Sequence, residues 1–142
     1  MKGFKRMQFR LAYSMAAADG TLSTSEEQIL KVLAQAYEIE SEEVVQLKKE
    51  ASQIDLKALK TVVPYKKNRM ELLETACLMA MADGQAQPEE WRMSIDICTA
   101  LDLTRNDAQT CVRRARRRLI SLAKQHGLVH ELRQNLKRNG VL

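Results

Sequence analysis

The sequence predicts an all-α protein, a compact bundle of about six or seven helices with two pseudo-symmetric helix–turn–helix halves. Three observations support this fold class. Aromatic residues supply only 4% of the chain, whereas sheets concentrate aromatic and β-branched side chains. Apolar residues recur at helical spacing along several segments. A motif built on Ala-Asp-Gly occurs twice, 64 positions apart, as AADGTLSTSEE and MADGQAQPEEW.

The length of the chain fits one domain that spans residues 1–142. Positions that lie 64 residues apart are called equivalent below. Asp19 is equivalent to Asp83, and Gly20 is equivalent to Gly84. Two copies are too few for a solenoid. We therefore predict two related halves, at about 4–52 and about 68–125, followed by a short helix at 128–138.

The first helix of each half is predicted to end at the Asp-Gly pair. Residues 4–18 and 69–82 carry apolar side chains at helical spacing before that pair. Gly20 and Gly84 suit the left-handed residue that commonly ends a helix. The apolar side chains are Phe4, Met7, Leu11 and Met15 in the first copy, and Leu72, Ala76 and Met79 in the second.

The second helix of each half is predicted at about 24–38 and at about 88–101. Ser23 and Glu26 have the spacing of a capping box, with the serine at the cap and the glutamate third in the helix. Pro88 suits the first helical position, which again places Glu90 third. Both helices are apolar on more than one face, and this is typical of helices in the middle of a bundle.

Three further segments complete the predicted fold. Ser41 is expected to cap a helix that runs through SEEVVQLKKEA. Residues 56–69, which contain Pro64, are the best candidate for the connection between the halves. A long helix is expected to start at Thr104 and to end near Gly127.

The two xADGxxxxxE turns in a helical chain resemble the TerB-like family of tellurite-resistance and co-chaperone-associated domains, from about residue 4 to about residue 125. The resemblance implies a compact helical domain that acts in bacteria as a non-catalytic module, in stress or envelope-associated pathways. Ala86, in the place of the aliphatic Leu22, departs from the pattern, and so does the arginine-rich helix after Thr104. The resemblance also implies a metal or ligand role for the repeated acids, which are Asp19, Glu26, Asp83 and Glu90.

Two interpretations of these four acids remain open. If the two turns converge, four carboxylates share a small space, and a cation must neutralise their mutual repulsion. An all-oxygen site suits a hard ion such as Mg²⁺, Ca²⁺ or Mn²⁺. The alternative is that the acids only stop and cap helices, which explains each of them without a ligand.

The positive charge of the protein is concentrated at one end of the chain. Residues 104–142 hold ten Arg and Lys against two acids, a net charge of +8, whereas residues 1–103 have a net charge of −3. An apolar stripe from Ala108 to Ala123 predicts that the helix is docked and that its arginines face outward. These arginines are candidates for docking an acidic protein, an anionic membrane or nucleic acid, or they form a solvated face; the residues are Arg113, Arg114, Arg116, Arg117 and Arg118.

Nucleic acid is the less favoured partner, because no aromatic side chains interleave with the arginines to stack on bases. We expect no enzyme activity, since the sequence has no nucleophile elbow and no phosphate loop. Cys77, Cys98 and Cys111 lack paired spacing and are expected to be reduced thiols of a cytoplasmic protein. The basic N-terminus resembles a weak signal peptide, but Gln8 and Arg10 interrupt its apolar stretch.

Overall fold

The computed structural model describes residues 2–18, 22–51, 54–82 and 88–125, and the predicted short helix at 128–138 lies outside these ranges. The described residues form an all-α fold. Its helices are α1 (Lys2–Ala16), α2 (Thr24–Ala36), α3 (Ser41–Glu50), α4 (Leu59–Val62), α5 (Lys66–Met81), α6 (Pro88–Ala100) and α7 (Arg105–Gln125), with a 3₁₀ turn at Leu56–Ala58.

Helices α1 and α5 pack against each other at the centre of the bundle. Helix α1 also contacts α2 and α3, and α5 contacts α6 and α7. Each central helix therefore packs against the next two long helices of its own half. The four-residue α4 lies in the connection between the halves.

The core is densest along α5, where every residue from Leu72 to Met81 except Glu74 is buried. Such a helix, which is apolar all round, belongs in the middle of a bundle. The prediction of a middle position for 88–101 was wrong, since Ile95 on α6 keeps 65% of its surface exposed. Apolar residues on several faces of α6 therefore include some that face solvent.

The helices of the two halves start at equivalent positions. Helices α1, α2 and α3 begin at residues 2, 24 and 41, and α5, α6 and α7 begin at residues 66, 88 and 105. The left-handed backbone is also repeated, since φ is +57° at Glu38 and at its equivalent Asp102.

Both left-handed residues end their helix in a Schellman motif. The N–H of Ile39 donates to the carbonyl of Ala34 at 2.8 Å, and the N–H of Leu103 donates to that of Cys98 at 3.1 Å. The turn at Glu38 also determines where α3 begins. Glu40, in extended backbone, is the N-cap and makes no side-chain cap bond, so the predicted cap by Ser41 was wrong, and this serine is the first helical residue.

The connection between the halves is ordered by one side chain. Arg69, in the first turns of α5, donates to the carbonyls of Val63 at 2.5 Å and of Lys60 at 2.8 Å. It also donates to the carbonyl of Leu101 at the end of α6, at 3.4 Å. The prediction placed the connection at 56–69, but α5 already begins at Lys66.

None of the described helices combines the length and the hydropathy needed to cross a bilayer.

Candidate functional site

Glu26 closes a capping box at the start of α2, as its spacing to Ser23 predicted. The N–H of Ser23 donates to Oε1 of Glu26 at 3.0 Å, and the N–H of Glu26 donates to Oγ of Ser23 at 3.1 Å. Glu26 is only 1% exposed. A buried carboxylate in this position satisfies backbone donors that the first turn of a helix leaves open.

The side chains of the other three repeated acids lie outside the described part of the chain. Asp19 and Asp83 lie outside the described residues, and Glu90 is described as the third residue of α6 without its side chain. Pro88 begins α6, as predicted. Among the side chains that the structure describes, no three acids, cysteines or histidines form a group that could hold a metal ion.

Helix α7 lies against α5 through one apolar face. Cys111, Ala115 and Leu119 are completely buried on that face. The thiol of Cys111 donates to the carbonyl of Met70 on α5, with 3.4 Å between sulfur and oxygen. The stripe of the sequence prediction is thus the docked face of the helix, and the opposite face is left to the arginines.

The five arginines divide between two sides of α7. Arg113, Arg114, Arg116 and Arg117 are exposed. In the part of the chain that the structure describes, none of these four makes an ion pair with an acid. The four exposed arginines are called the arginine face below.

Arg118 departs from the predicted outward orientation. It is half-buried, and its Nη2 donates to Oη of Tyr37 on α2 at 3.2 Å. The guanidinium carbon lies 6.0 Å from the centre of the Tyr37 ring, within the range of a cation–π contact. Nη1 lies 4.0 Å from Oε1 of Glu74 on α5. Arg118 therefore ties the two halves together and does not belong to the arginine face.

Each half also carries a groove between its second and third helices, which sequence reasoning did not foresee. The first groove, of about 460 Å³, lies between α2 and α3 and is lined by Glu27, Lys31, Gln35 and Lys48 among others. The second groove, of about 260 Å³, lies between α6 and α7 and is lined at the equivalent positions by Trp91, Ile95, Thr99 and Val112. Four charged or amide side chains in the first groove thus become an indole, two aliphatic side chains and a threonine in the second.

A family model described as tellurite resistance protein TerB matches residues 7–114. The chain belongs to the TerB family. The matched range runs from α1 into the first half of α7, so it contains both Asp-Gly pairs of the sequence and the residues that line both grooves. Arg116 and Arg117 lie beyond it. No curated protein and no solved structure matches the chain.

The thiols of this TerB domain all lie in its second half. Burial raises the pKa of Cys77 to about 12 and that of Cys111 to about 11. Burial also raises the pKa of Cys98, whose thiol lies 3.6 Å from the carbonyl oxygen of Leu103. Cys77 and Cys98 line the second groove. Because the thiols are protonated at neutral pH, this wall of the groove is uncharged.

Proposed function

We propose that this TerB domain is a non-catalytic docking module of the bacterial cytoplasm, in a stress pathway of the tellurite-resistance type or at the cell envelope. Its arginine face binds an acidic surface of another protein. The observation that carries this proposal is a dense, exposed positive charge on a firmly docked helix. Residues 105–125 hold seven Arg and Lys against one acid, a net charge of +6.

One feature of α7 favours a protein partner over nucleic acid. The helix contains no aromatic residue on which bases could stack. All the basic residues from 105 to 118 are arginines, whose planar guanidinium groups bind carboxylates and phosphates in a bidentate manner, so the choice between these anions is left to the experiment. An isolated solvated face is the competing explanation, and it predicts no preference among anions.

The test compares two triple variants with the same change in charge. Arg114→Gln/Arg116→Gln/Arg117→Gln removes three of the four charges of the arginine face, and Lys31→Gln/Lys48→Gln/Lys49→Gln removes three exposed lysine charges of the first half. The probes are fluorescent poly-L-glutamate, a DNA duplex and vesicles containing phosphatidylglycerol. We expect the arginine variant to lose at least about tenfold in affinity for polyglutamate and the lysine variant to lose about twofold or less. Equal losses, or tighter binding to DNA or vesicles than to polyglutamate, would contradict the proposal.

We infer in addition that the chain contains an internal repeat of three helices. The equivalent helix starts, the repeated φ of +57° at Glu38 and Asp102, and the two grooves at equivalent positions all support this inference. A duplicated unit explains why one half can diverge into a docking surface while the other preserves the packing.

A second candidate function is the binding of Mg²⁺, Ca²⁺ or Mn²⁺ by Asp19, Glu26, Asp83 and Glu90. The burial of Glu26 to 1% exposure favours it, because a carboxylate taken out of water gains from a nearby cation. The capping box uses Oε1 of Glu26, so a metal ion would have to coexist with the cap or replace it.

Thermal unfolding of chelator-stripped protein tests this second candidate. A site with a Kd of about 100 µM adds about 1.4 kcal/mol at about 1 mM cation. We expect Asp83→Asn to abolish that gain and Asp96→Asn, on the exposed side of α6, to preserve it. Equal unfolding temperatures with and without each cation would leave the acids as helix caps alone.

A further inference from the structure

The two grooves occupy the same place in the two halves but differ in chemistry. Lys31 in the first groove is replaced by Ile95 in the second, and Lys48 is replaced by Val112. Ile95 is 65% exposed, and Trp91 beside it is half-buried. An exposed aliphatic side chain next to an indole is typical of a surface that a partner covers.

We propose that the second groove binds the apolar face of an amphipathic helix from a partner protein, and that acidic residues flanking that face contact Arg105 and Arg116. This inference rests on the proposed docking function and names the form of the segment that docks.

The dimensions of the groove fit a short helix. Its lining runs from Trp91 to Thr99 on α6 and from Arg105 to Val112 on α7. At 1.5 Å per residue, the α6 wall is about 12 Å long, which is about two helical turns. A helix laid in such a groove presents side chains at positions i, i+3 or i+4, and i+7. A volume of about 260 Å³ holds such side chains but lies below the range typical of small-molecule sites.

The charges around the groove determine the chemistry of the partner. Arg105 lines the groove itself and is exposed. Arg116 lies one helical turn beyond Val112, on the same side of α7, and is also exposed. Asp107 beside them is already paired with Lys66, with 3.4 Å between Oδ1 and Nζ. The α7 rim of the groove is therefore basic, and it complements glutamates or aspartates on the incoming helix.

The intrinsic fluorescence of the protein reports on the groove directly, since Trp91 is the single tryptophan of the chain. The probes are three synthetic helical peptides of about 15 residues. The first has leucines at i, i+4 and i+7 with flanking glutamates, the second has lysines in place of the glutamates, and the third has the leucines scrambled. We expect the first peptide alone to shift Trp91 emission to the blue and to bind with a Kd of about 10 µM.

Matched variants separate the groove from the arginine face. Ile95→Lys installs the residue of the first groove, and it is compared with Val62→Lys on α4, where the replaced side chain is 56% exposed. We expect Ile95→Lys to weaken binding of the first peptide at least about tenfold and Val62→Lys to leave it within about twofold. Arg105→Gln/Arg116→Gln should weaken it several-fold and reduce its salt dependence.

Each other outcome overturns the inference. If the glutamate peptide binds equally to wild type and Ile95→Lys but is lost from the Arg114, Arg116 and Arg117 variant, docking occurs on the arginine face and the groove takes no part. If all three peptides bind alike, or none binds at about 200 µM, the groove does not take an acidic amphipathic helix. If sedimentation shows a dimer that Ile95→Lys dissociates, the occupant is a second copy of this chain.

Discussion

In the first half α3 contacts α1 through several polar side chains, whereas in the second half α7 packs against α5 mainly through a stripe of completely buried apolar side chains. Arg6 on α1 forms an ion pair with Glu43 on α3, and its Nε donates to Oε2 at 2.6 Å. Arg10 donates to the backbone carbonyl of Glu50 at 3.2 Å. Leu47 is the single buried residue within α3.

Helix α7 uses a longer apolar stripe for the same purpose. Cys111 and Ala115 stand at the positions equivalent to Leu47 and Ala51, and Leu119 extends the stripe by another turn. Asp107 and Arg118 add ion pairs to α5, and the remaining charged residues that the structure describes on α7 make none with that helix. The four arginines on the opposite side of α7 therefore stay exposed, whereas Glu43 and Glu50 of α3 pair with Arg6 and Arg10 of α1.

The largest predicted effect is the loss of packing under α7. Leu119→Ala removes a completely buried side chain, and we expect it to lower the free energy of unfolding by about 2–5 kcal/mol. Urea denaturation measures the change. Ile95→Ala, at a residue that is 65% exposed, serves as the control and should change stability by about 0.5 kcal/mol or less. A cost below about 1 kcal/mol for Leu119→Ala would show that apolar packing does not hold α7.

The next effect concerns the helix caps. Thr104 caps α7, because its Oγ1 accepts from the N–H of Asp107 at 3.1 Å, whereas the equivalent Glu40 makes no side-chain cap bond. We expect Thr104→Ala to cost about 1 kcal/mol and Glu40→Ala to cost about 0.5 kcal/mol or less, as measured by urea denaturation. Equal costs at the two positions would remove this difference between the halves.

The cap of α7 also depends on pH. The N–H of Thr104, which donates to Oδ2 of Asp107 at 3.0 Å, lowers the pKa of Asp107 below its ordinary value of 3.8, with further contributions from the Thr104 hydroxyl and Lys66. Since the folded pKa is depressed, the stabilisation is present above the unfolded pKa and is lost as pH falls through the folded pKa. We expect the stability difference between wild type and Asp107→Asn to shrink below about pH 4. A difference that stays constant between about pH 2 and about pH 7 would contradict the role of this charge.

A smaller effect on stability is expected at Glu38 and Asp102, the left-handed residues that follow α2 and α6. A non-glycine residue at positive φ is strained, and glycine relieves that strain at some cost in unfolded-state entropy. We expect Glu38→Gly to stabilise the protein by about 0.5–1 kcal/mol in urea denaturation. Asp102→Gly should gain less, because it also removes an ion pair with Lys60, with 3.3 Å between Oδ2 and Nζ. A loss of stability at Glu38 would mean that its side chain contributes contacts of its own.

Most of the fold was predictable because its helix ends are encoded locally. The spacing of Ser23 and Glu26 predicted the capping box that the structure contains. The prediction that Ser41 caps α3 was wrong, because the preceding Schellman motif at the left-handed Glu38 places the N-cap at Glu40. The exposure of Ile95 was not predictable either. The helical spacing of apolar residues on α6 does not determine which face of that helix its neighbours cover.

The candidate site was only partly predictable. The exposed arginines followed from the apolar stripe on the same helix, but the inward turn of Arg118 depends on Tyr37, which is 81 positions away. The grooves need three helices to form, so no local pattern reveals them. A signal was present in the equivalent positions where the halves disagree, such as Lys31 and Ile95. Such differences between equivalent positions, and not only the identities, point to the second groove.

The smallest predicted effect tests the polar attachment of α3. Arg6 and Glu43 are about one-third exposed, so a double-mutant cycle with Arg6→Ala and Glu43→Ala should give a coupling of about 0.2–1 kcal/mol, weaker in high salt. The cycle needs the free energies of unfolding of wild type, both single variants and the double variant. Several weak polar contacts of this kind attach α3 to α1, whereas a single apolar stripe supplies most of the attachment of α7 to α5. A coupling well above about 1 kcal/mol would instead make this ion pair a main anchor, and the charges of α3 would then be under stronger constraint than those of α7.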